Sequence, residues 1–145
     1  MVGVKADFVS LEPDILEVGS SEGECRLLGN RCPWCHIVFF PRRYFCTRCS
    51  SPGLEEIRLS RRGQLKSFTT VHQKPKYAQV EPPYMIGEIE LPEGAVVYSL
   101  LTECSAKELK IEAEMELAMV ELREEVREGR SVTLLAYAFR PFRGS

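Results

Sequence analysis

The chain has 145 residues, of which 44% are hydrophobic and 28% are charged, and its formal net charge is −2. This length suits one ordinary domain, or a small module joined to a compact barrel, and the composition is that of a folded globular protein, so two full enzyme domains and intrinsic disorder are excluded. Because no apolar run approaches the roughly 18 to 20 residues of a membrane span and the acidic start does not resemble a signal peptide, we expect a cytoplasmic protein without a membrane span.

The first 26 residues are predicted to form an arm ahead of the folded modules. They are acidic and weakly patterned, and Gly19, Ser20, Ser21 and Gly23 indicate a flexible joint near their end. We therefore predict a docking arm or a short helix over residues 1–26.

The most specific motif lies in residues 27–60, where C-P-W-C is followed after ten residues by C-T-R-C. Each turn directs two sulfurs at one ion, and two such turns complete a tetrahedron without an open position, as in a structural zinc site. A small module of this kind depends on metal binding for its folding free energy. Four free or disulfide-bonded cysteines, or a rubredoxin-like iron site, are the alternatives. The predicted ligands of one structural zinc ion are Cys32, Cys35, Cys46 and Cys49.

The other cysteines and histidines are not assigned to this site. His36 follows a ligand, but four cysteines leave no vacancy for it. Cys25 and Cys104 lack a CxxC partner, so we expect Cys104 to be a packing residue, and His72 is expected to be a neutral loop histidine. Without a phosphate loop, a nucleophile elbow or a dinucleotide fingerprint, the chain is predicted not to be an enzyme by itself and to have no catalytic residues.

From Gly63 onward, alternating apolar and polar residues predict β-strands. A loop containing Pro82 and Pro83 separates the first two strands, because consecutive prolines cannot lie in a central strand. The predicted strands are Gln64–Val71, Met85–Leu91, Ala95–Thr102, one within 110–125, and Ser131–Phe139.

The segment 110–125 is ambiguous, because its Glu, Ala, Leu and Met residues favour a helix. We predict a strand, because Met115, Leu117 and Met119 alternate with polar or small residues. Five strands with a long loop after the first predict a mainly β protein whose residues 61–145 form a five-stranded OB-fold barrel. A different five-stranded barrel is the alternative.

Charge is distributed unevenly along the chain. Between Arg42 and Lys76 there are nine basic and two acidic residues, a balance of +7, and the remainder has ten basic and nineteen acidic residues, a balance of −9. Any attraction for anions is therefore expected in the middle of the chain.

Four segments carry a resemblance to a known family. They are C-P-W-C with F-F-P-R-R-Y-F-C-T-R-C-S-S in 32–51, R-R-G-Q-L-K-S-F-T-T-V in 61–71, P-P-Y-M-I-G-E-I-E-L-P-E-G in 82–94 and A-F-R-P in 138–141. Together they resemble the acyl-CoA-associated family of rubredoxin-like zinc ribbons fused to an OB-fold, over about residues 27–143. His36 departs from the pattern, because ribbons of this type commonly have glycine there.

The resemblance implies an accessory subunit that assembles with a thiolase, with a thiolase-like or hydroxymethylglutaryl-CoA synthase-like enzyme, or with an acyl-CoA hydratase, and that supports assembly and acyl-CoA binding. The partner would hold the catalytic residues. We expect Lys74, Lys76 and Tyr77 to contact CoA, because they lie in the basic loop at the predicted barrel mouth. A nucleic-acid-binding module is the alternative, although a pI near 5.8 and the acidic final third disfavour it. A free-standing electron carrier would require iron at the cysteines.

Overall fold

The computed structural model describes residues 8–19, 21–73 and 82–143. None of the helical segments in this part of the chain is long and apolar enough to cross a membrane. Its elements are the strands β1 (Phe8–Ser10), β2 (Leu16–Glu17), β3 (Arg26–Arg31), β4 (Val38–Phe39), β5 (Glu55–Arg58), β6 (Arg62–Val71), β7 (Tyr84–Glu90), β8 (Val96–Leu101), β9 (Glu114–Arg127) and β10 (Arg130–Pro141), with a 3-10 turn at Glu22–Glu24.

Strands β6 to β10 close into a barrel. β6 pairs antiparallel with β7, and β7 with β8; β8 pairs in parallel with β10, which is antiparallel to β9, and β9 returns to β6. This strand order, with one parallel pair at the closure, is that of an OB-fold. The prediction of a mainly β protein with a five-stranded OB-fold barrel is therefore confirmed.

Every second side chain of each barrel strand points into the interior and fills it, because alternate side chains of a strand lie on the same face. Leu65, Ile89 and Val97 on three successive strands are completely buried, as are Met115 and Phe139 on the closing pair. The same core continues under the ribbon through Leu16, Leu27 and Leu59. The two parts of the chain therefore share one apolar core.

The ambiguous segment is a strand, but it begins later than predicted. Residues 110–113 form a turn, and β9 runs from Glu114 to Arg127. Met115 is completely buried and Leu117 nearly so, as the alternation requires. Tertiary pairing outweighs helix propensity here, because β9 is needed between β6 and β10 to close the barrel.

Residues 8–19 form two short strands rather than a helix. β1 pairs in parallel with β10, with Phe8 opposite Thr133, whereas β2 pairs with β3 in the ribbon. Strands of three and two residues are too short to produce a readable alternation, so they are visible only in the structure.

Candidate metal centre and its surroundings

The four predicted ligands lie together. Their Sγ atoms are all within 4.8 Å of one another, and those of Cys32 and Cys49 are 3.6 Å apart. Four thiolates around zinc at about 2.3 Å would stand about 3.8 Å apart, so the donor set and its spacing fit a tetrahedral ion. The cysteines are therefore positioned to hold one metal ion. Four protein ligands leave no coordination position for a substrate.

Two backbone turns of the same design hold the sulfurs. The N–H of His36 donates to the carbonyl of Cys32, and the N–H of Ser50 donates to the carbonyl of Cys46, both at 2.8 Å. Both donors have positive φ, 64° for His36 and 65° for Ser50. The residue after each CxxC pair must therefore adopt the left-handed conformation, which glycine adopts most readily. A glycine at either position would adopt this conformation without the cost of a Cβ.

We expect His36→Gly to stabilise the metal-loaded protein by about 1 kcal/mol, because it removes the Cβ from a left-handed position. The change is measured as the shift of the denaturant midpoint of the metal-loaded chain. His36→Ala is the matched control, since it removes the imidazole but keeps the Cβ, and it should bring no gain. An equal gain in both variants would assign the effect to the imidazole and contradict the backbone explanation.

Hydrogen bonds shift the pKa values of Cys35 and Cys49 in opposite directions. The Ser51 hydroxyl, with its backbone N–H, lowers the pKa of Cys49 to about 6. The pKa of Cys35 is raised to about 12, first by its hydrogen bond with Cys49 and then by burial. Four thiolates this close repel one another, and a bound cation would offset that repulsion.

Asn30 is a structural residue of the site that the sequence did not reveal. Its side chain is buried, its Nδ2 donates to the Arg43 carbonyl at 2.7 Å, and its Oδ1 accepts from the Arg43 N–H at 3.3 Å. Two bonds from one amide fasten the loop before the second CxxC pair to β3. A lone asparagine in a strand has no pattern that would have identified this role.

An aromatic pair and an arginine add polar and ring contacts between the barrel and the segments before it. The Phe40 ring meets Tyr137 edge to face, with centroids 5.9 Å apart, and burial raises the pKa of Tyr137 to about 12. In addition, Arg61 donates to the carbonyls of Cys25 and Leu117, each at 3.2 Å. These contacts join the barrel to the part of the chain that carries the cysteines.

The cysteines and the loop histidine that the sequence analysis did not assign to the metal site lie outside the cluster of four sulfurs. Cys25 is buried and its thiol donates to the Ser21 carbonyl at 3.5 Å. Cys104 is half-buried, and burial raises its pKa. His72 is exposed just after β6. The predicted CoA contacts Lys74, Lys76 and Tyr77 lie outside the described residues.

Most of the described basic residues of the +7 stretch are paired with carboxylates. Arg58 contacts Glu17 at 2.8 Å, Lys66 contacts Glu112 at 2.8 Å, and Arg62 contacts Glu114 at 3.3 Å. Arg42 pairs with Asp14 and Glu56. The acidic outer segments therefore neutralise much of the middle, and the charge asymmetry along the sequence does not become an equally basic surface.

The chain matches two family models in succession. One is described as "ChsH2, rubredoxin-like zinc ribbon domain" and matches residues 23–55, and the other as "ChsH2, C-terminal OB-fold domain" and matches residues 56–120.

Two curated relatives cover most of the chain. A "DUF35 domain-containing scaffold protein" of Methanocaldococcus jannaschii is 34% identical over 116 residues, which is 79% of this chain and 81% of the relative. The "Benzoylsuccinyl-CoA thiolase subunit BbsA" of Thauera aromatica is 33% identical over 138 residues, 94% of this chain and 90% of the relative.

A solved structure titled "Ltp2-ChsH2(DUF35) aldolase" has a similar fold. It superposes with a TM-score of 0.60 at 24% identity, over 80% of this chain and 84% of that chain. At this identity the likeness supports the fold alone.

Proposed function

Because the chain belongs to the family in which a ChsH2-type rubredoxin-like zinc ribbon precedes an OB-fold domain, we propose that it is a non-catalytic accessory subunit of a thiolase or thiolase-like acyl-CoA enzyme complex. The observation that carries the proposal is the similarity to a protein named as a thiolase subunit over 94% of this chain. The closed set of four thiolates agrees with it, since such a centre stabilises structure and offers no position for a reacting group. We take the ion to be zinc.

Three exposed aromatic side chains next to the metal centre supply a docking surface for the catalytic subunit. Trp34 lies inside the first CxxC pair and is 75% exposed; Tyr44 and Phe45 directly precede the second pair and are 90% and 59% exposed. Large aromatic residues exposed together are typical of interfaces, where Trp and Tyr carry much of the binding energy. We call these three residues the knuckle aromatics.

Metal coordination holds the backbone under the knuckle aromatics in place. Trp34 is next to the ligand Cys35, and Phe45 is next to the ligand Cys46, so neither backbone can move far without breaking the site. A rigid surface loses less conformational entropy on binding than a mobile loop. We infer that the ion contributes to assembly by ordering this surface, while catalysis belongs to the partner.

The assembly proposal is tested with the triple variant Trp34→Ala/Tyr44→Ala/Phe45→Ala. We expect the affinity for a co-purifying thiolase-type subunit, identified by mass spectrometry and by thiolase activity of the complex, to fall by on the order of 100-fold or more. Truncating one such anchor costs about 2 kcal/mol, roughly 30-fold, and the costs of neighbouring anchors do not simply add. The measurement is a titration of the purified partner with metal-loaded protein.

The double variant Tyr98→Ala/Ile111→Ala is the matched control, because both side chains are exposed apolar groups on the barrel part of the chain. It should bind the partner as the original chain does. Equal binding by the triple variant would remove the knuckle aromatics from the interface. Full turnover by the isolated chain would contradict the accessory role itself.

We further propose that Lys74, Lys76 and Tyr77 contact the CoA part of an acyl-CoA in the complex. Lysine ammonium groups suit the CoA phosphates, and these residues follow β6 in the sequence. Lys74→Ala/Lys76→Ala should weaken acyl-CoA binding by the assembled complex about tenfold. Lys107→Ala/Lys110→Ala, two exposed lysines elsewhere, is the control. Unchanged binding in the first variant would reject this contact.

The same proposal includes a division of the chain into an arm (1–26), a ribbon (27–60) and a barrel (61–145), and a cytoplasmic location.

Nucleic-acid binding is the competing function. Four basic residues that could attract phosphates are already paired with carboxylates: Arg42, Arg58, Arg62 and Lys66. This pairing opposes nucleic-acid binding, because such binding depends mainly on the attraction between basic side chains and phosphates. Retention of labelled nucleic acid on filters at low salt would favour that alternative over the accessory subunit.

A further inference from the structure

One segment of the ribbon contains basic residues but no acidic ones. Residues 32–54, which include the four cysteines, have no Asp or Glu, although the whole chain has 21 acidic residues. They have three arginines: Arg42, Arg43 and Arg48. A carboxylate can therefore reach these guanidinium groups only from another part of the chain or from another molecule.

The three arginines differ in whether the chain itself supplies that carboxylate. Arg42 contacts Asp14 at 3.6 Å and also pairs with Glu56. Arg43 and Arg48 are exposed, and in the part of the chain that the structure describes neither guanidinium has a carboxylate within ion-pair distance. Two cations of this segment are therefore left for another molecule to neutralise.

Both cations belong to the surface that the knuckle aromatics form. Arg43 directly precedes Tyr44, and the two residues line one cavity of about 420 Å³. Arg48 is the third residue of its CxxC turn, as Trp34 is in the other turn, and the two turns have the same backbone hydrogen bond. We therefore expect an interface that covers the knuckle aromatics to cover both guanidinium groups as well.

The cavity beside Tyr44 retains positive charge. Its charged lining residues are Asp14, Arg42 and Arg43, and the first two are paired with each other. The Arg43 guanidinium lies 6.0 Å from the centroid of the Phe39 ring, which has no formal charge. The two hydrogen bonds from the Asn30 amide hold the Arg43 backbone. The cavity thus presents a guanidinium on a fixed backbone.

We propose that the face of the catalytic subunit that covers the knuckle aromatics is acidic, and that its carboxylates pair with Arg43 and Arg48. Covering an exposed guanidinium removes water from it, which costs free energy unless an anion replaces that water. A carboxylate has the required charge, and its two oxygens match two parallel N–H groups of a guanidinium. The proposal rests on the accessory function proposed above and adds the chemistry that the partner presents.

One alternative role for Arg43 and Arg48 lies within the chain. Four thiolates around a divalent ion keep a net negative charge, and two nearby cations would offset it. If this were their only role, reversing their charge would weaken metal binding and leave the affinity for the partner of the loaded chain unchanged.

A single-stranded nucleic acid is the other alternative, because it also binds to cations and aromatic rings. The carboxylate of Asp14 lines the same cavity as Arg43, so a continuous run of phosphates would meet a negative charge there. Separate carboxylates on a folded partner can pair with Arg43 and avoid Asp14. The structure therefore favours a protein partner.

The first test measures the affinity of the metal-loaded chain for the purified thiolase-type subunit. At an ionic strength of about 0.15 M, distant charges are largely screened. Under this condition Arg43→Glu/Arg48→Glu should weaken binding at least about tenfold, because attraction becomes repulsion. Lys107→Glu/Lys110→Glu makes the same charge change at two exposed barrel sites and should bind as the original chain does.

The second test identifies what the two positions touch. Arg43→Lys/Arg48→Lys keeps both positive charges and introduces amines, which a zero-length carbodiimide joins only to carboxylates in direct contact. In the assembled complex, mass spectrometry should find positions 43 and 48 cross-linked to Asp or Glu residues of the catalytic subunit. Elemental analysis should find one ion per chain in both variants.

The outcomes separate this proposal from the accessory function. Partner binding that charge reversal leaves unchanged would overturn the acidic face but keep the accessory role, and so would the absence of any cross-link from positions 43 and 48 to the partner. If the charge-reversed variant loses its ion, the cross-links decide. Should the original chain bind no thiolase-type subunit, or bind nucleic acid instead, the accessory function itself is contradicted, and the acidic partner with it.

Discussion

Cys46→Ser is expected to abolish metal binding and to lower the melting temperature by more than about 10 °C. Cys46 is buried and its sulfur lies within 4.8 Å of the other three, so its loss leaves three ligands where a closed site needs four. Metal binding contributes about 10 to 16 kcal/mol in isolated zinc modules, which is as large as the whole stability of an ordinary domain. We expect the segment that carries the four cysteines, residues 32–49, to unfold.

The loss of stability in this variant should extend from the ribbon to the barrel. Leu27 and Leu59 belong to the same apolar core as Leu65 and Phe139 of the barrel, so disorder in the ribbon exposes part of a shared core. Elemental analysis gives the metal content, and thermal unfolding followed by circular dichroism gives the melting temperature. The spectrum of the original chain identifies the ion, because a zinc tetrathiolate is colourless and an iron one is red.

Cys104→Ser is the matched control for this prediction. Cys104 is half-buried and lies outside the cluster of four sulfurs, so its serine variant should keep one ion per chain. One retained equivalent of metal in Cys46→Ser would show that the site does not need its fourth thiolate. Such a result would contradict a closed structural centre.

Phe139→Ala is expected to cost about 3 to 5 kcal/mol of the free energy of unfolding. Phe139 is completely buried, and it lies opposite Leu117 of β9 and Leu101 of β8. Its carbonyl also accepts the Thr102 N–H at 2.9 Å, at the parallel pair that closes the barrel. Removing the ring leaves a cavity where three strands meet. Urea unfolding measures the loss as a lower midpoint with an unchanged slope.

Phe142→Ala makes the same chemical change three residues later and serves as the control. The Phe142 ring is half-buried, with the Arg62 guanidinium 3.7 Å from its centroid, so its removal creates no cavity. Its cost should stay near 1 kcal/mol, the size of one cation–π contact. If both variants lose the same stability, the barrel does not depend on close packing at Phe139.

The sequence predicted the barrel strands because their signal is local. Alternation between buried and exposed positions identified β6 to β8 and β10 to within a few residues, and it outweighed helix propensity in β9. The same pattern was too short in β1 and β2, which therefore needed the structure. Their pairing with β10 and β3 joins segments far apart in the chain, and no local pattern encodes which distant strand is the partner.

The amino-acid sequence alone identified the four cysteines that come together in the structure, because each CxxC turn positions two sulfurs through the geometry of four consecutive residues. It also determined the alternation that produces strands. Only the tertiary structure decided which basic residues are neutralised by a carboxylate. Arg58, for example, pairs with Glu17, which is forty-one positions away in the sequence. Likewise, within the described residues the ladder between β6 and β9 ends after three residue pairs, which no local pattern of either strand predicts. Such features depend on which distant segments meet, and that is settled by packing of the whole core.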